Sequence, residues 1–425
     1  MSEKTRVVRG LRDIYPGESE RFDVVERSMI EIIRKYGYEE IRLPMLESID
    51  LFKRGLGEAT DAVEKEMYTL EDRDHDILAL RPEGTASCVR AVIDRNLIRE
   101  GKPRLWYAGP MFRYERPQKG RYRQFYQIGA EAFGLRGPDV DAELILMGSD
   151  MWQVLGLESA VELEMNTIGS GDSRRTYCEA LVKYLTPRKK ELDSDSERRL
   201  TTNPMRILDS KNASTQKLLE SAPDLHDFVD SASRSHFEDV CEYLDREGIS
   251  FRVNPRLVRG LDYYTDTVFE WVTDKLGSQG TICAGGRYDG LFERLGGPSV
   301  PAAGFAAGLD RVVLLHETMG MNIEESAVDV YVIVMERQHE AYARRVAQFM
   351  RSETSLRIRQ HMGGGKVGVQ MRQADRSGAR WAVIVGDDEV SENRVALKWL
   401  REETEQKTMD FEQLAACLNK AVEPQ

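Results

Sequence analysis

A chain of 425 residues that is 41% hydrophobic and 31% charged has the balance of a soluble globular protein, and its length exceeds what one core supports, so two or three domains are expected. No run approaches the roughly 18 apolar residues that span a bilayer, and Met1-Ser2-Glu3-Lys4-Thr5-Arg6 lacks the apolar core of a signal peptide, which predicts a cytoplasmic protein without a membrane partner. The net charge of −12 speaks against indiscriminate nucleic-acid binding. The charge is uneven, however: six basic residues from Arg104 to Arg123 face only Glu115, and ten from Arg337 to Arg380 face three acidic ones. Such islands suit a surface that meets phosphate in chosen places, the alternative for the second being ordinary solvated helix faces.

The five cysteines (Cys88, Cys178, Cys241, Cys283 and Cys417) share no paired spacing, which fits a reducing compartment and excludes a disulfide framework or a zinc site. The six histidines are too scattered for a helical ligand pair, so no histidine-based metal centre is expected.

In chain order, Glu20 to Gly37 carries Phe22, Val25, Met29, Ile32 and Ile33 at helical spacing and ends on glycine, predicting an amphipathic helix. Tyr38 to Pro44 reads as a short strand halted by proline. Leu105 to Glu115 and Arg123 to Glu131 read as two strands around a basic loop. Arg113 with Glu115, and Gln127 with Glu131, are expected to share a sheet face and form a ligand floor. From Gly169 to about Gly248 the chain turns polar, with helical periodicity over Tyr177 to Leu185 and His236 to Leu244, an expected helical insertion.

Two unusual peptides follow: Leu257-Val258-Arg259-Gly260-Leu261-Asp262-Tyr263-Tyr264-Thr265 and Cys283-Ala284-Gly285-Gly286-Arg287-Tyr288-Asp289-Gly290. Both interleave arginine, glycine, acid and tyrosine without a simple period, the composition of a pocket wall. Val300 to Val312 reads as a small-residue strand running into a helix, with Gly304 and Gly308 allowing close approach to a flat ligand. Beyond a polar connector, Met321 to Ala327, the strand Val328 to Met335, helix Glu340 to Ser352 and strand Trp381 to Val385 predict a separate α/β domain with a mostly parallel sheet. Gly363-Gly364-Gly365-Lys366 lacks the spacing of a phosphate loop and is expected to be a loop or helix entry.

The two peptides resemble the signature peptides of histidyl-tRNA synthetases. Glu20 to Pro44, the hairpin, and Val300 to Val312 with Arg311 resemble the three class II motifs, in the family's order, so the resemblance covers nearly the whole chain. It implies an α+β fold. A class II catalytic domain, an antiparallel sheet flanked by helices, would occupy 1–168 and 249–322, with a helical insertion at 169–248 and a C-terminal α/β anticodon-binding domain at 326–425. It implies a ligase that activates L-histidine with ATP and Mg2+, without zinc, and transfers it to tRNA(His), acting as a homodimer. A non-catalytic histidine-binding regulator of histidine biosynthesis is the alternative. Such relatives typically lack the anticodon-binding domain and the motif arginines; this chain has both. An RNA-binding module alone would not need those arginines in a pocket.

Activation of a carboxylate by ATP builds negative charge at phosphorus, so the protein must supply fixed cations, and the arginine fork suits phosphate. The resemblance puts the catalytic Arg113 and Arg259 by the α-phosphate and Arg311 by the terminal phosphate, with Glu115 and Phe125 on the adenine and Arg121, Gly304 and Gly308 completing the ATP set. It implies a histidine set of Glu83, Gly84, Thr85, Gln127 and Glu131 toward the ammonium group and Tyr263, Tyr264 and Tyr288 around the imidazole, with Arg113 and Arg259 alongside. Any one of these tyrosines taken singly is better read as core packing with its hydroxyl satisfied; three together in the two peptides favour function. Arg116, Gln118 and Arg123 would meet the tRNA acceptor end, and the second basic island the anticodon region. Asp266 departs from the arginine that many bacterial members carry there and is given no role.

Overall fold

The computed structural model describes residues 5–58, 60–277, 280–321 and 328–421. They form two compact units, divided between Asn322 and Ile323. The connector expected at 321–327 lies, beyond Met321, outside the described residues.

The first unit is built on an eight-stranded sheet in the order Glu39–Glu40, Arg104–Phe112, Gln124–Phe133, Ala302–Gly308, Thr281–Arg287, Thr265–Val272, Glu162–Thr167 and Arg252–Val253. The six inner strands are antiparallel, and the two-residue strands at each edge run parallel to their neighbours. Strand alternation divides the side chains between two cores. Trp106, Ile128, Ala130, Phe305 and Trp271 join the helices Glu18–Lys35, Pro138–Val154, Ser231–Arg246 and Leu309–Thr318. Leu105, Tyr107 and Met111 enter the other core with the helices Ile49–Leu56, Thr85–Arg95 and Gly171–Leu185. The polar segment after Gly169 therefore shares the sheet's cores: Tyr177 and Leu181 in one, Phe237, Val240 and Leu244 in the other.

The helix read from Glu20 to Gly37 spans Glu18–Lys35 and buries the five apolar residues that defined it. The strand expected over Tyr38 to Pro44 shrinks to Glu39–Glu40. The Ile41 amide still donates to Trp106, but the carbonyls of Leu43 and Pro44 then turn to accept from the buried Arg81 guanidinium, at 3.0 and 3.4 Å, which ends the pairing.

The second unit has a five-stranded sheet, Ile358–Gln360, Val330–Val334, Trp381–Val385, Val395–Trp399 and Lys407–Met409. Only the first three strands are parallel; the last two are antiparallel, so the sheet is mixed where a mostly parallel one was expected. The link 386–394 is shorter than the dozen or so residues a parallel crossover requires, and it reverses the chain with Asn393 in the left-handed region at φ 53°. Val330, Val332 and Val334 face one layer, with the helices Glu340–Glu353 and Phe411–Lys420, while Tyr331 and Ile333 face the helix Val367–Arg376.

Candidate functional site

The open face of the first sheet offers mostly small or polar residues at alternate positions, with Phe125 the aromatic exception. Phe125 and Gln127 come from Gln124–Phe133, Ala306 and Gly308 from Ala302–Gly308, and Ala284 from Thr281–Arg287. A cavity lies over this floor. It is walled by Glu83, Thr85, Arg113, Glu115 and Arg121 and by the first unusual peptide through Arg259, Tyr263 and Tyr264, so residues almost two hundred positions apart meet.

At one end sit buried acids and phenols. Glu83 is 4% exposed and accepts the amides of Thr85 and Ala86, at 2.8 and 2.9 Å, which caps the helix Thr85–Arg95. Glu131 is fully buried and accepts from Thr85 Oγ1 at 2.6 Å, Tyr107 at 3.1 Å and the Tyr288 hydroxyl. Burial raises both carboxyls, Glu131 to about 8, against the donors that favour its anion. Tyr263 packs on Tyr264 with ring centroids 4.6 Å apart and edge-on to Tyr288 at 5.5 Å. The three phenols form one aromatic wall.

At the other end three arginines converge. Arg113 stacks over Phe125 with its guanidinium carbon 5.3 Å from the ring centre, and its Nε donates to the Pro82 carbonyl at 2.9 Å. Arg121 pairs with Glu115. Arg311 is aimed by its Nη1 bond to the Thr281 carbonyl at 2.6 Å and its Nε bond to the Gly120 carbonyl at 3.3 Å. Burial, then repulsion from Arg121 and Arg113, lowers Arg311 to about 10. Several cations held together against repulsion in a cleft form a binding place for a multiply charged anion. Arg259 stands between the two ends: its Nη1 pairs with Glu270, and its guanidinium carbon lies 5.5 Å from the Tyr264 ring centre.

Of the residues singled out by sequence, Glu83, Thr85, Arg113, Glu115, Arg121, Phe125, Gln127, Arg259, Tyr263, Tyr264, Gly308 and Arg311 line the cavity. Glu131 and Tyr288 lie beneath its surface as the hydrogen-bonded layer just described. Gly84 and Gly304 make room inside the protein: a Cβ would stand 2.2 Å from the Tyr107 ring at Gly84 and 1.8 Å from Glu131 Oε2 at Gly304. Arg113 and Glu115 were expected on a strand face, but the strand stops at Phe112. They reach the cavity from the following loop, where the Arg113 amide donates to the Arg123 carbonyl. Arg116 and Gln118 are exposed on that loop. Arg123 is half-buried and held against its own loop, with its amide on the Gly10 carbonyl at 2.8 Å and its guanidinium carbon 3.5 Å from the ring centre of the exposed Tyr114.

Arg287, the arginine of the second peptide, is 2% exposed and forms a buried pair with Asp141 at 3.1 Å while donating to the Leu135 carbonyl at 2.7 Å, so its place is in the scaffold. Asp266, just past the first peptide, adopts φ 49° and accepts from Ser233 Oγ at 2.6 Å, tying that peptide's end to the helix Ser231–Arg246. Sequence reading passed over Glu270, Thr281 and Asp310. Asp310 receives the Tyr126 amide at 2.7 Å and Arg12 at 2.9 Å, which anchors the floor strand to the helix that carries Arg311.

In the second unit the basic island divides in space. Arg344, Arg345 and Arg351 lie on the helix over one sheet face, Arg372 and Arg376 on the helix over the other, and Arg359 on the edge strand between them. Glu336, His339 and Asp387 come within 4.8 Å of one another at the ends of two adjacent strands, a grouping invisible in sequence spacing; His339 Nε2 lies 2.8 Å from Asp387. Gly363 to Gly365 form a loop before the helix Val367–Arg376, as expected.

No helix among the described residues is long and apolar enough to cross a membrane. Residues 10–312 match the family model for histidyl-tRNA synthetase, and residues 329–421 match the anticodon binding domain. The histidyl-tRNA synthetase of S. aureus, in its apo crystal structure, is 36% identical and superposes with a TM-score of 0.81 over 98% of this chain and 100% of that one. A histidyl-tRNA synthetase from Nostoc sp. shares the fold at 19% identity, with a TM-score of 0.69 over 99% of this chain and 100% of that one. A Bacillus halodurans protein titled ATP phosphoribosyltransferase regulatory subunit/histidyl-tRNA synthetase shares it at 21%, with a TM-score of 0.63 over 88% and 97%. With its first unit matched almost end to end and its second carrying the anticodon-binding fold, the chain belongs to the histidyl-tRNA synthetase family of class II aminoacyl-tRNA synthetases.

Proposed function

We propose that this protein is an active histidine–tRNA ligase. In the first step a carboxylate oxygen of histidine attacks the α-phosphorus of ATP; the acyl–phosphate bond forms as the bond to the bridging oxygen breaks, and pyrophosphate leaves with those electrons. In the second, a hydroxyl of the 3′-terminal adenosine of tRNA(His) attacks the acyl carbon, loses its proton, and AMP departs. The observation that carries the reading is the polarity of one cavity: a tyrosine-walled end backed by carboxyls, and an arginine end formed by Arg113, Arg121 and Arg311.

Arg113 and Arg259 are the residues we assign to the charge that develops on the α-phosphate, Arg311 to the terminal phosphate, and Glu115 and Phe125 to adenine. Glu83, Thr85 and Gln127 are assigned to the ammonium group and Tyr263 and Tyr264 to the imidazole, with Glu131 and Tyr288 setting the tyrosines from beneath. Magnesium would come with ATP as part of the substrate and supply positive charge at the triphosphate beyond that of the arginines. Arg116 and Gln118 suit contact with the RNA acceptor end, and residues 169–248 act as an insertion beside it. The second unit would meet the anticodon region.

The protein is proposed to work in the cytoplasm as a homodimer. Met45, Leu46, Leu70 and Ile77, 38–50% exposed on and beside the strands Leu46–Ser48, Thr69–Glu71 and Ile77–Leu80, are an apolar set that a two-fold partner would cover. A regulator that only senses histidine would need the tyrosine end and not the three arginines. Charging of tRNA(His) with labelled histidine separates the readings. The ligase should yield histidyl-tRNA, AMP and pyrophosphate, whereas histidine binding by calorimetry with no charging would make the protein a sensor.

A further inference from the structure

Arg259 and Arg311 approach the cavity from different segments, and both contact a residue pair on adjacent strands. Glu270 Oε1 pairs with Arg259 Nη1, Glu270 Oε2 accepts from Thr281 Oγ1 at 2.8 Å, and the Thr281 carbonyl accepts from Arg311 Nη1 at 2.6 Å. The route Arg259–Glu270–Thr281–Arg311 is a continuous chain of charge-assisted bonds. Strand register builds it. Thr281 pairs with Val272 and Cys283 with Trp271, so one residue is extra on the strand Thr281–Arg287. Such a bulge re-aims side chains. It explains why four consecutive residues, Thr281 to Ala284, all line the cavity where an ordinary strand would offer every second one.

The chain leaves capacity for a ligand. Arg259 and Glu270 are only 17% and 15% exposed in their side chains, yet Arg259 Nε has no hydrogen-bond partner among the described residues. Glu270 thus engages one arm of the fork, while the charge-balanced pair keeps the guanidinium in the wall. Without the acid, a buried cation would face the other arginines of the cavity uncompensated, and it would turn away toward solvent.

We propose that Glu270 and Thr281 are positioning residues for the adenylation step, holding Arg259 at a fixed separation from Arg311 so that both ends of a triphosphate are met at once. This rests on the ligase reading above. The test is ATP–pyrophosphate exchange by the full-length protein. Glu270→Gln should lower kcat about tenfold or more and leave the KM for histidine within about twofold. Thr281→Val should lower kcat severalfold, and Thr281→Ser, which keeps the hydroxyl, should restore it. Should Glu270→Gln not fold, the two threonine variants decide alone. Unchanged kcat in Thr281→Val, or in a folded Glu270→Gln, overturns the assignment while leaving the ligase reading intact. An equal loss in the valine and serine variants, which would point to packing rather than the hydroxyl, overturns it too. Absence of exchange in the unmodified protein removes the ligase reading and this assignment together.

Discussion

Glu131 is the residue whose chemistry is most displaced by its surroundings. A native pKa of about 8 lies far above the roughly 4.3 of an unfolded glutamate. Between those values the folded protein keeps a proton that the unfolded chain has released, so the Glu131 contribution to stability falls as pH rises from about 4 to 8 and is level beyond. The full swing is on the order of 5 kcal/mol. Glu131→Gln should flatten the decline in melting temperature between pH 5 and pH 8.5; an unaltered decline would assign the effect to other groups. For Arg259→Ala the expected loss is in rate: exchange about a hundredfold slower or more, the equivalent of roughly 3 kcal/mol of transition-state stabilisation, with histidine affinity by calorimetry little changed. Normal turnover with a raised KM would make Arg259 a binding residue only. Most of this site was legible because arginine, tyrosine and glycine crowd into peptides that no helix or strand period explains. Glu270 was not, since one acid in the strand Thr265–Val272 looks like a solvent-facing position until register sets it beside Arg259 and Thr281. Gly304 was read as an opening for ligand, whereas its missing Cβ makes room for Glu131.

Among the elements, the helices were the plainest in sequence, because each buries a stripe that repeats every three to four residues; Glu18–Lys35 and Ser231–Arg246 both do so. Strand ends were harder. Pairing stops where a competing partner takes the backbone groups, as Arg81 does at Leu43 and Pro44, and such a partner lies far away in the chain. The second peptide shows the same limit: its arginine looks functional by composition, but Arg287 pins the strand Thr281–Arg287 to the helix Pro138–Val154 through Asp141. Both side chains are at most 2% exposed, so Asp141→Asn leaves the buried cation with only the partly exposed Asp289, 3.3 Å away, as counter-charge and should cost about 3 kcal/mol. Chemical denaturation would show this as a lower midpoint with little change of slope. A cost under about 1 kcal/mol would mean that the pair is dispensable to the scaffold.

For the whole molecule, the division at 322/323 separates every proposed adenylation residue from the split basic island. The order of motifs made this division readable, but the mixed second sheet was not, because a link of nine residues can be counted only once both strands it joins are known. Removal of residues 323–425 should leave exchange within about threefold and weaken tRNA charging, with a shallower salt dependence as phosphate contacts are lost. Full-length charging by the truncated protein would make the island an ordinary solvated surface. The central claim is that one cavity selects histidine at its tyrosine end and activates it at its arginine end. ATP–pyrophosphate exchange by the full-length protein with each amino acid in turn, magnesium present and tRNA absent, tests it most directly. Exchange should depend on histidine alone; comparable exchange with several amino acids, or none with histidine, would contradict it.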